Sequence, residues 1–371
     1  MFASEFELHE SVIYLNHAAV APWPRRTAEA VKGFSEENAV TGARNYTAWL
    51  ETEQALKSQL QRLINAASVS EIALLKNTSE ALSVVAYGLS WMPGDNVVIT
   101  NQEFPSNRIV WESLAKFGVE TRAAALDGTP TPEDAILSRI DEHTRLVSVS
   151  SVQYATGLRL DLKYLGTACR ERGILFCVDA IQSLGAIEFD VQACRADFVM
   201  ADGHKWMLGP EGLALFYCRA GVMDRLELQQ YGWHMVEEHG NYDSPAWRLA
   251  SSARRFECGS PNMLGIYALH ASLSLLLEIG MPAVEKRVTE NSLQLIDYFS
   301  ARGDAFRLIT PVEAHRHAGI VTFQPLRESV GELYERLRKA NVICALRGGG
   351  IRFSPHFHTS RTQLDRALQL L

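Results

Sequence analysis

Two stretches decide the reading of this 371-residue chain: 174-ILFCVDAIQSLGA-186 and 197-DFVMADGHKWMLGPEGLALFY-217. Ile174 to Val178 is a run of apolar β-formers that ends in an acid, Asp179. Phe198 to Ala201 is a second such run, leading through Asp202, Gly203 and His204 to Lys205. Short apolar runs of this kind suit strands buried on both faces of a parallel sheet. Asp179 and Lys205 then both fall where a parallel strand ends, the edge at which open α/β sheets bind ligands.

The two side chains have complementary chemistry. A buried aspartate can pair with a pyridinium nitrogen, and a lysine can form a Schiff base with an aldehyde. Together they are what a protein supplies to make pyridoxal 5'-phosphate (PLP) an electron sink. Lys205 must be neutral part of the time to attack an aldehyde, and burial beside Trp206, Met207 and Leu208 lowers its pKa. The bland alternatives are an exposed lysine after a strand and, for Asp179, a helix cap ahead of AIQSLGA. Gln182 can face the same pocket and hydrogen-bond a phenolate-like oxygen.

Working outward, strand and helix patterns alternate from Glu71 to Cys218. The strands are EIALLK, NVVIT, VETRAAAL, RLVSVSSV, ILFCVDA, DFVMAD and LALFYC, with helices over about 78–91, 108–117, 132–140 and 162–172 between them. This predicts an α/β fold with a mostly parallel sheet of about seven strands covered on both faces. Ahead of it, SVIYLN is a short strand, and helices follow Pro24 and span about 49–64. After Phe216 a long polar and aromatic stretch, Tyr231 to Ser260, has no clean period, as functional loops often do. Two helices (about 265–279 and 283–302) and an α+β tail (FRLI, AGIVTFQ, a helix, VICALR, IRFSPH, a helix) complete the chain. The expected division is an N-terminal segment 1–24, a large domain 25–255 and a smaller C-terminal α+β domain 256–371.

Composition narrows the function. The apolar fraction of 47% is that of a globular enzyme, and the formal charge of −7 comes without a lysine or arginine block. Nucleic acid and anionic membranes are not expected partners. No apolar run is long enough to span a bilayer, and MFASEFELHE lacks the basic-then-apolar order of a signal peptide, so a cytoplasmic protein is expected. Six cysteines (169, 177, 194, 218, 258 and 344) form no CxxC pair and no zinc-like cluster, as in a reduced compartment.

Three further groups are candidates. Lys76-Asn77-Thr78-Ser79-Glu80 opens a helix and can cradle a phosphate on free N–H groups, with Thr78 and Ser79 adding hydroxyls; a plain capping box explains it equally. Arg347 and Arg352 flank a triple glycine, and an arginine fork suits a substrate carboxylate. His356 and His358 lack a third ligand, so no metal is expected. No strand leads into G-x-G-x-x-G, which disfavours a nucleotide-binding Rossmann reading.

With these residues assembled, the chain resembles the fold-type I PLP-dependent enzymes of the class V aminotransferase superfamily. Cysteine desulfurases, selenocysteine lyases, kynureninases and isopenicillin-N-epimerase-like proteins belong to it. The resemblance runs from YLNHAAVAP to the last helix and is sharpest at VDAIQS and, 22 residues on (184 to 205), DGHK. It implies Lys205 as the cofactor anchor, Asp179 at the ring nitrogen and Gln182 near the ring hydroxyl. It also implies Thr78, Ser79 and His204 at the phosphate, and Phe104 (in QEFPSN, where desulfurases carry histidine) stacked on the ring. Ser260, in FECGSPN, would reach the phosphate of a neighbouring subunit, which implies a homodimer with a shared active site. Arg352 matches the carboxylate-binding arginine and Arg347 lies near a second basic position. Asn16-His17 is closest to the epimerase-like branch, and His17 can approach the substrate.

The chain departs from desulfurases in having no cysteine after Cys344: ALRGGG runs straight into IRFSPHFH. Cys258 is expected to be a packed small residue. The expectation is therefore an aminotransferase or a C–S/β-elimination lyase acting on a small amino acid or amine. An epimerase, a desulfurase-like enzyme and a non-catalytic PLP-binding relative are the alternatives.

Overall fold

The computed structural model describes residues 2–127, 129 and 131–371. In chain order its elements are β1 (Ile13–Tyr14), α1 (Arg25–Thr41), α2 (Tyr46–Leu63), β2 (Ile72–Leu75), α3 (Thr78–Gly88), β3 (Asn96–Thr100), α4 (Ser106–Glu112), β4 (Glu120–Ala124), α5 (Pro132–Leu137), β5 (Thr144–Ser150), α6 (Leu162–Glu171), β6 (Leu175–Asp179), β7 (Phe198–Asp202) and β8 (Ala214–Cys218). The tail adds α7 (Met263–Ile279), α8 (Met281–Ser300), β9 (Phe306–Leu308), β10 (Val321–Pro325), α9 (Val330–Lys339), β11 (Val342–Ile343), β12 (Ala345–Arg347), β13 (Gly350–Phe353) and α10 (Arg361–Leu368).

Seven strands form the large sheet in the order β2-β8-β7-β6-β5-β3-β4, and only β8 runs against the others. Alternate residues of each strand feed opposite cores, as a period of two requires. Phe176, Val178 and Val199 pack on one face with α2, α6 and α7, while Leu175, Cys177, Phe198 and Met200 pack on the other with α3 and α4. Both faces are covered, which is why these strands carry continuous apolar runs. The α/β class, the seven strands and the mostly parallel order agree with the sequence.

The smaller unit is an antiparallel sheet, β12-β13-β10-β9, backed by α8, α9 and α10 around Phe299, Phe306, Phe323 and Phe353. Two details differ from expectation. The stretch 342–347 is not one strand: β11 pairs in parallel with β1 (Ile13↔Val342), whereas β12 pairs with β13. The start of the small domain expected at residue 256 is also too early. Helix α7 packs on α1 and α2, and α8 enters the large core at Val284 and Val288 but the small core at Leu295 and Phe299. The transition lies inside α8, a helix whose two halves bury different stripes.

One glycine holds the site's floor. Gly185 has φ +93°, and a Cβ there would lie 2.2 Å from the carbonyl oxygen of Trp206, the residue after Lys205. Gly185→Ala is expected to destabilise the protein by about 2 kcal/mol or more, through positive-φ strain and a backbone clash. A lowered urea midpoint at unchanged slope is the measurement; a midpoint equal to that of the wild type would show that the turn relaxes freely.

Candidate active site

At the edge where β5, β6 and β7 end, a cavity of about 260 Å³ is lined by Asp179, Lys205, Gln182, Thr78, Ser79, Phe104, His204, Arg347 and Arg352. Nine residues singled out from the sequence thus meet in one place.

Asp179 closes β6 and is almost fully buried; its Oδ1 accepts the N–H of Ile181 at 3.0 Å, and the described residues offer its other oxygen no hydrogen bond. A turn, not a helix, follows it, so the helix-cap alternative fails. Burial raises its pKa, against the N–H of Ile181 and the charge of Lys205. Lys205 is 8% exposed, and burial lowers its pKa, opposed by Asp179 and assisted by Arg352 and Arg347. Both groups are driven toward neutrality, the condition that a lysine nucleophile needs and that leaves the aspartate wanting a cation. The surface-lysine alternative fails with it.

Gln182 is locked by two hydrogen bonds, from its Nε2 to the carbonyl of Ala18 (3.0 Å) and from Trp206 Nε1 to its Oε1 (2.8 Å). The ring of Phe104 lies 5.5 Å from Lys205 Nζ and meets Tyr154 edge-on at 5.1 Å.

The opposite wall is the start of α3. Asn77 Oδ1 accepts the N–H of Glu80 (2.9 Å), and the Glu80 carboxylate reaches back to the N–H of Lys76 (2.6 Å). The N–H groups of Thr78 and Ser79 have no backbone acceptor among the described residues. Cap and cradle therefore coexist, because the cap satisfies only one of the free donors. Thr78 Oγ1 accepts from Asp202 N (3.1 Å), and Ser79 Oγ donates to Ser106 Oγ (2.8 Å). His204 Nδ1 and Asp202 Oδ1 are 3.1 Å apart but misaligned, and both are buried without a hydrogen bond.

Arg352 is 2% exposed and has no carboxylate within ion-pair reach among the described residues. Its Nη1 donates to the carbonyl of Tyr154 (2.7 Å), its Nε has no partner, and burial lowers its pKa to about 10, with the charge of Arg347 adding to the effect. A buried, unpaired guanidinium is costly unless an anion arrives. Arg347 stands opposite Gly350 in the β12–β13 ladder, diagonal to Arg352 on the same face, and is exposed.

His17 and Ser260 do not line the cavity, and for Ser260 the expectation concerned the phosphate of a neighbouring subunit. His17 is fully buried in the seam with the C-terminal segment: its Nδ1 donates to the carbonyl of Ser354 (2.9 Å) and its Nε2 meets His358 Nε2 (3.0 Å). The bridge between Asn16 and Ser354 turns it inward, and Ala18 to Val20 line the cavity instead. Ser260 opens on an adjacent cavity beside Lys76, Glu80, Glu257 and Cys258. His356 cannot serve as a ligand: its Nε2 donates to the carbonyl of Trp206 (3.0 Å) and its Nδ1 accepts from Phe357 N (2.7 Å).

Sequence reasoning missed Tyr154, Asp202, Ser106 and Glu211 in the lining, and Glu103 beneath it. The Glu103 carboxylate is buried and accepts from Thr100 Oγ1, Asn107 Nδ2, Ser150 N, Ser150 Oγ and Gln153 Nε2, tying the ends of β3 and β5 together. The polar run Ser150-Ser151-Val152-Gln153 at the ligand edge of a strand was the available signal.

The family model for aminotransferase class-V matches residues 13–356. The chain belongs to the class V aminotransferase family. A probable cysteine desulfurase of Methanothermobacter thermautotrophicus is 35% identical over 303 residues, covering 79% of this chain and 75% of the relative. Among solved structures, the apo cysteine desulfurase of Thermococcus onnurineus NA1 superposes with a TM-score of 0.89 at 24% identity, covering 100% of this chain and 96% of that one. The cystine C–S lyase C-DES, in complex with its reaction product cysteine persulfide, gives 0.90 at 20% identity, with 97% of each chain covered. As a class V member the protein is a PLP-dependent enzyme with the fold-type I architecture. The site fits that group: a buried carboxylate with no ion-pair partner within 4 Å among the described residues, a lysine driven toward neutrality, and free helix N–H groups with orphaned polar atoms beside them.

The seam behind the site sets a pH limit. Burial lowers the His356 pKa to about 4 and holds those of His17 and His358 well below the ordinary value of 6.5. Above 6.5 both folded and unfolded chains leave these rings neutral. As pH falls from 6.5 toward 4 only the unfolded chain takes protons, so stability is lost across that window, by about 3 kcal/mol for His356 alone. Urea midpoints between pH 8 and 4 should fall less steeply in His356→Gln than in the wild type; equal slopes would refute this assignment.

Proposed function

We propose that this protein is a cytoplasmic, homodimeric PLP-dependent lyase that breaks the Cβ–S bond of small sulfur-containing amino acids, with Lys205 as its covalent anchor and base. The observation that carries the reading is the β12–β13 hairpin. It brings Arg352 to the cavity and turns through Gly348 and Gly349, and no cysteine is among the residues lining that cavity. Cys169, Cys177, Cys194, Cys218 and Cys344 are buried, and burial pushes their thiols up, to about 12 for Cys169, Cys194 and Cys344. Cys258 borders the neighbouring cavity with its Sγ on Gln230. A persulfide-forming route needs a reactive thiolate of the enzyme's own. Without one at the substrate, sulfur leaves with its own bonding pair. The desulfurase and C–S lyase names of the relatives support a sulfur amino acid as substrate.

In this reading Asp179 would hold the ring nitrogen of PLP, Gln182 its ring oxygen, and Thr78, Ser79 and His204 its phosphate, with Phe104 beside the ring. Bound there, PLP supplies a sink for the electron pair left on Cα. Arg352 takes the substrate carboxylate in a charge-assisted pair, which fixes the angle at which the Cα–H bond faces Lys205. Lys205, already driven toward its neutral form, accepts that proton. Ser260 opens away from the cavity of its own chain, and Tyr231, Tyr242 and Trp247 are exposed on the stretch before it. Both features support a dimer in which Ser260 serves the partner's cofactor.

Purified protein incubated with cystine or cysteine is expected to show a visible cofactor band and to release pyruvate and reduced sulfur together. Lys205→Ala should lose the band and at least about 10³-fold in rate. Alanine as product would point to desulfuration instead, a keto acid formed without sulfur release to transamination, and an inverted amino acid to epimerisation; any of these would overturn the lyase reading.

A further inference from the structure

The cavity has two chemically distinct ends. At the α3 end stand three hydroxyls already engaged: Thr78 with Asp202 N, and Ser79 with Ser106. At the other end stand Arg352 and Arg347, and there Tyr154 is the one hydroxyl-bearing residue of the lining among the described residues. Its phenol makes no hydrogen bond to the described residues, although the residue is half-buried. Half-buried tyrosines usually find a partner for that group, so a free phenol in a polar cavity is available for a bound molecule.

Tyr154 is also held in register with both parts of the site. Its ring meets Phe104 edge-on at 5.1 Å and 84°, and its carbonyl accepts Arg352 Nη1 at 2.7 Å. One residue thus fixes the carboxylate anchor through its backbone and presents a proton through its side chain. The next carbonyl, of Ala155, accepts the hydroxyl of Thr322 (2.6 Å), which steadies the segment from the small-domain side.

Resting on the lyase reading above, we propose that Tyr154 is a catalytic residue: the acid that protonates the departing sulfur. As the Cβ–S bond breaks, its electron pair leaves on sulfur, and the phenolic proton of Tyr154 moves to that sulfur to release a neutral thiol. The phenolate is then reprotonated by the Lys205 ammonium, which carries the proton taken from Cα. The enzyme returns to its starting charge, and the unsaturated product hydrolyses to pyruvate and ammonia. No oxidant or reductant enters. Lys205 handles the α-proton and Tyr154 the leaving group, so one base need not serve two atoms in sequence.

The test compares leaving groups. Chloride departs from β-chloroalanine without a proton, whereas methanethiolate departing from S-methylcysteine is basic and gains from one. In Tyr154→Phe the ratio of kcat for S-methylcysteine to kcat for β-chloroalanine is expected to fall about 100-fold, the scale of a lost general acid. The urea midpoint of the cofactor-free protein and the absorbance of bound PLP should stay at wild-type values, because the phenol holds no structural partner. Tyr154→His restores a proton donor and should recover at least tenfold of the ratio, and it carries the test if the phenylalanine variant fails to fold. A ratio unchanged in Tyr154→Phe, or a histidine variant as impaired as the phenylalanine one, would overturn the proposal. A wild type that forms no pyruvate from β-chloroalanine would instead overturn the lyase reading, and this proposal with it.

Discussion

The structure depends on keeping two opposite charges, Asp179 and Lys205, out of water at the same sheet edge. Neither is cheap to bury, and each is shifted toward its neutral form by that burial. The surrounding parts make the arrangement tolerable. Strands β5 to β7 are buried on both faces, so their ends are rigid; Gly185 lets the Lys205 turn approach the backbone; and Gln182 and Trp206 bolt the turn to the N-terminal segment. The cost recurs at Arg352, a third buried charge, with no carboxylate in ion-pair reach among the described residues. A site holding three such groups stores electrostatic demand that an anionic amino acid and a charged cofactor relieve.

Much of the fold was legible because its signals are local. Apolar runs ending in Asp179 and Asp202 mark strands, Pro24 marks the start of α1, and Asn77 with Glu80 marks that of α3. The residues that converge on the cavity were legible for a related reason: parallel strands end on one edge, so polar residues just past each apolar run must meet there.

What failed to read from the sequence depends on contacts between distant segments. His17 follows Asn16 into a bridge with Ser354, 338 positions away in the chain, and nothing local to LNHAAVAP says which way its ring turns. The domain boundary was misplaced because α7 and α8 are separated only by Gly280, and an apolar pattern does not say which core a helix faces. Glu103 was missed because a buried acid with so many donors is recognisable only once β3 and β5 lie side by side.

The seam between the two halves of the molecule gives the site a mechanical character. Three successive carbonyls, of Tyr154, Ala155 and Thr156, accept hydrogen bonds from Arg352, Thr322 and Thr310 of the small domain. Gly348, at φ +58°, sits where an added Cβ would lie only 3.3 Å from the carbonyl oxygen of Ala155. Three such bonds anchored on one tight turn act together: swinging the small domain away strains all of them at once. The Arg352 guanidinium at the cavity therefore cannot drift on its own, and any opening of the cavity has to carry it along with the small domain.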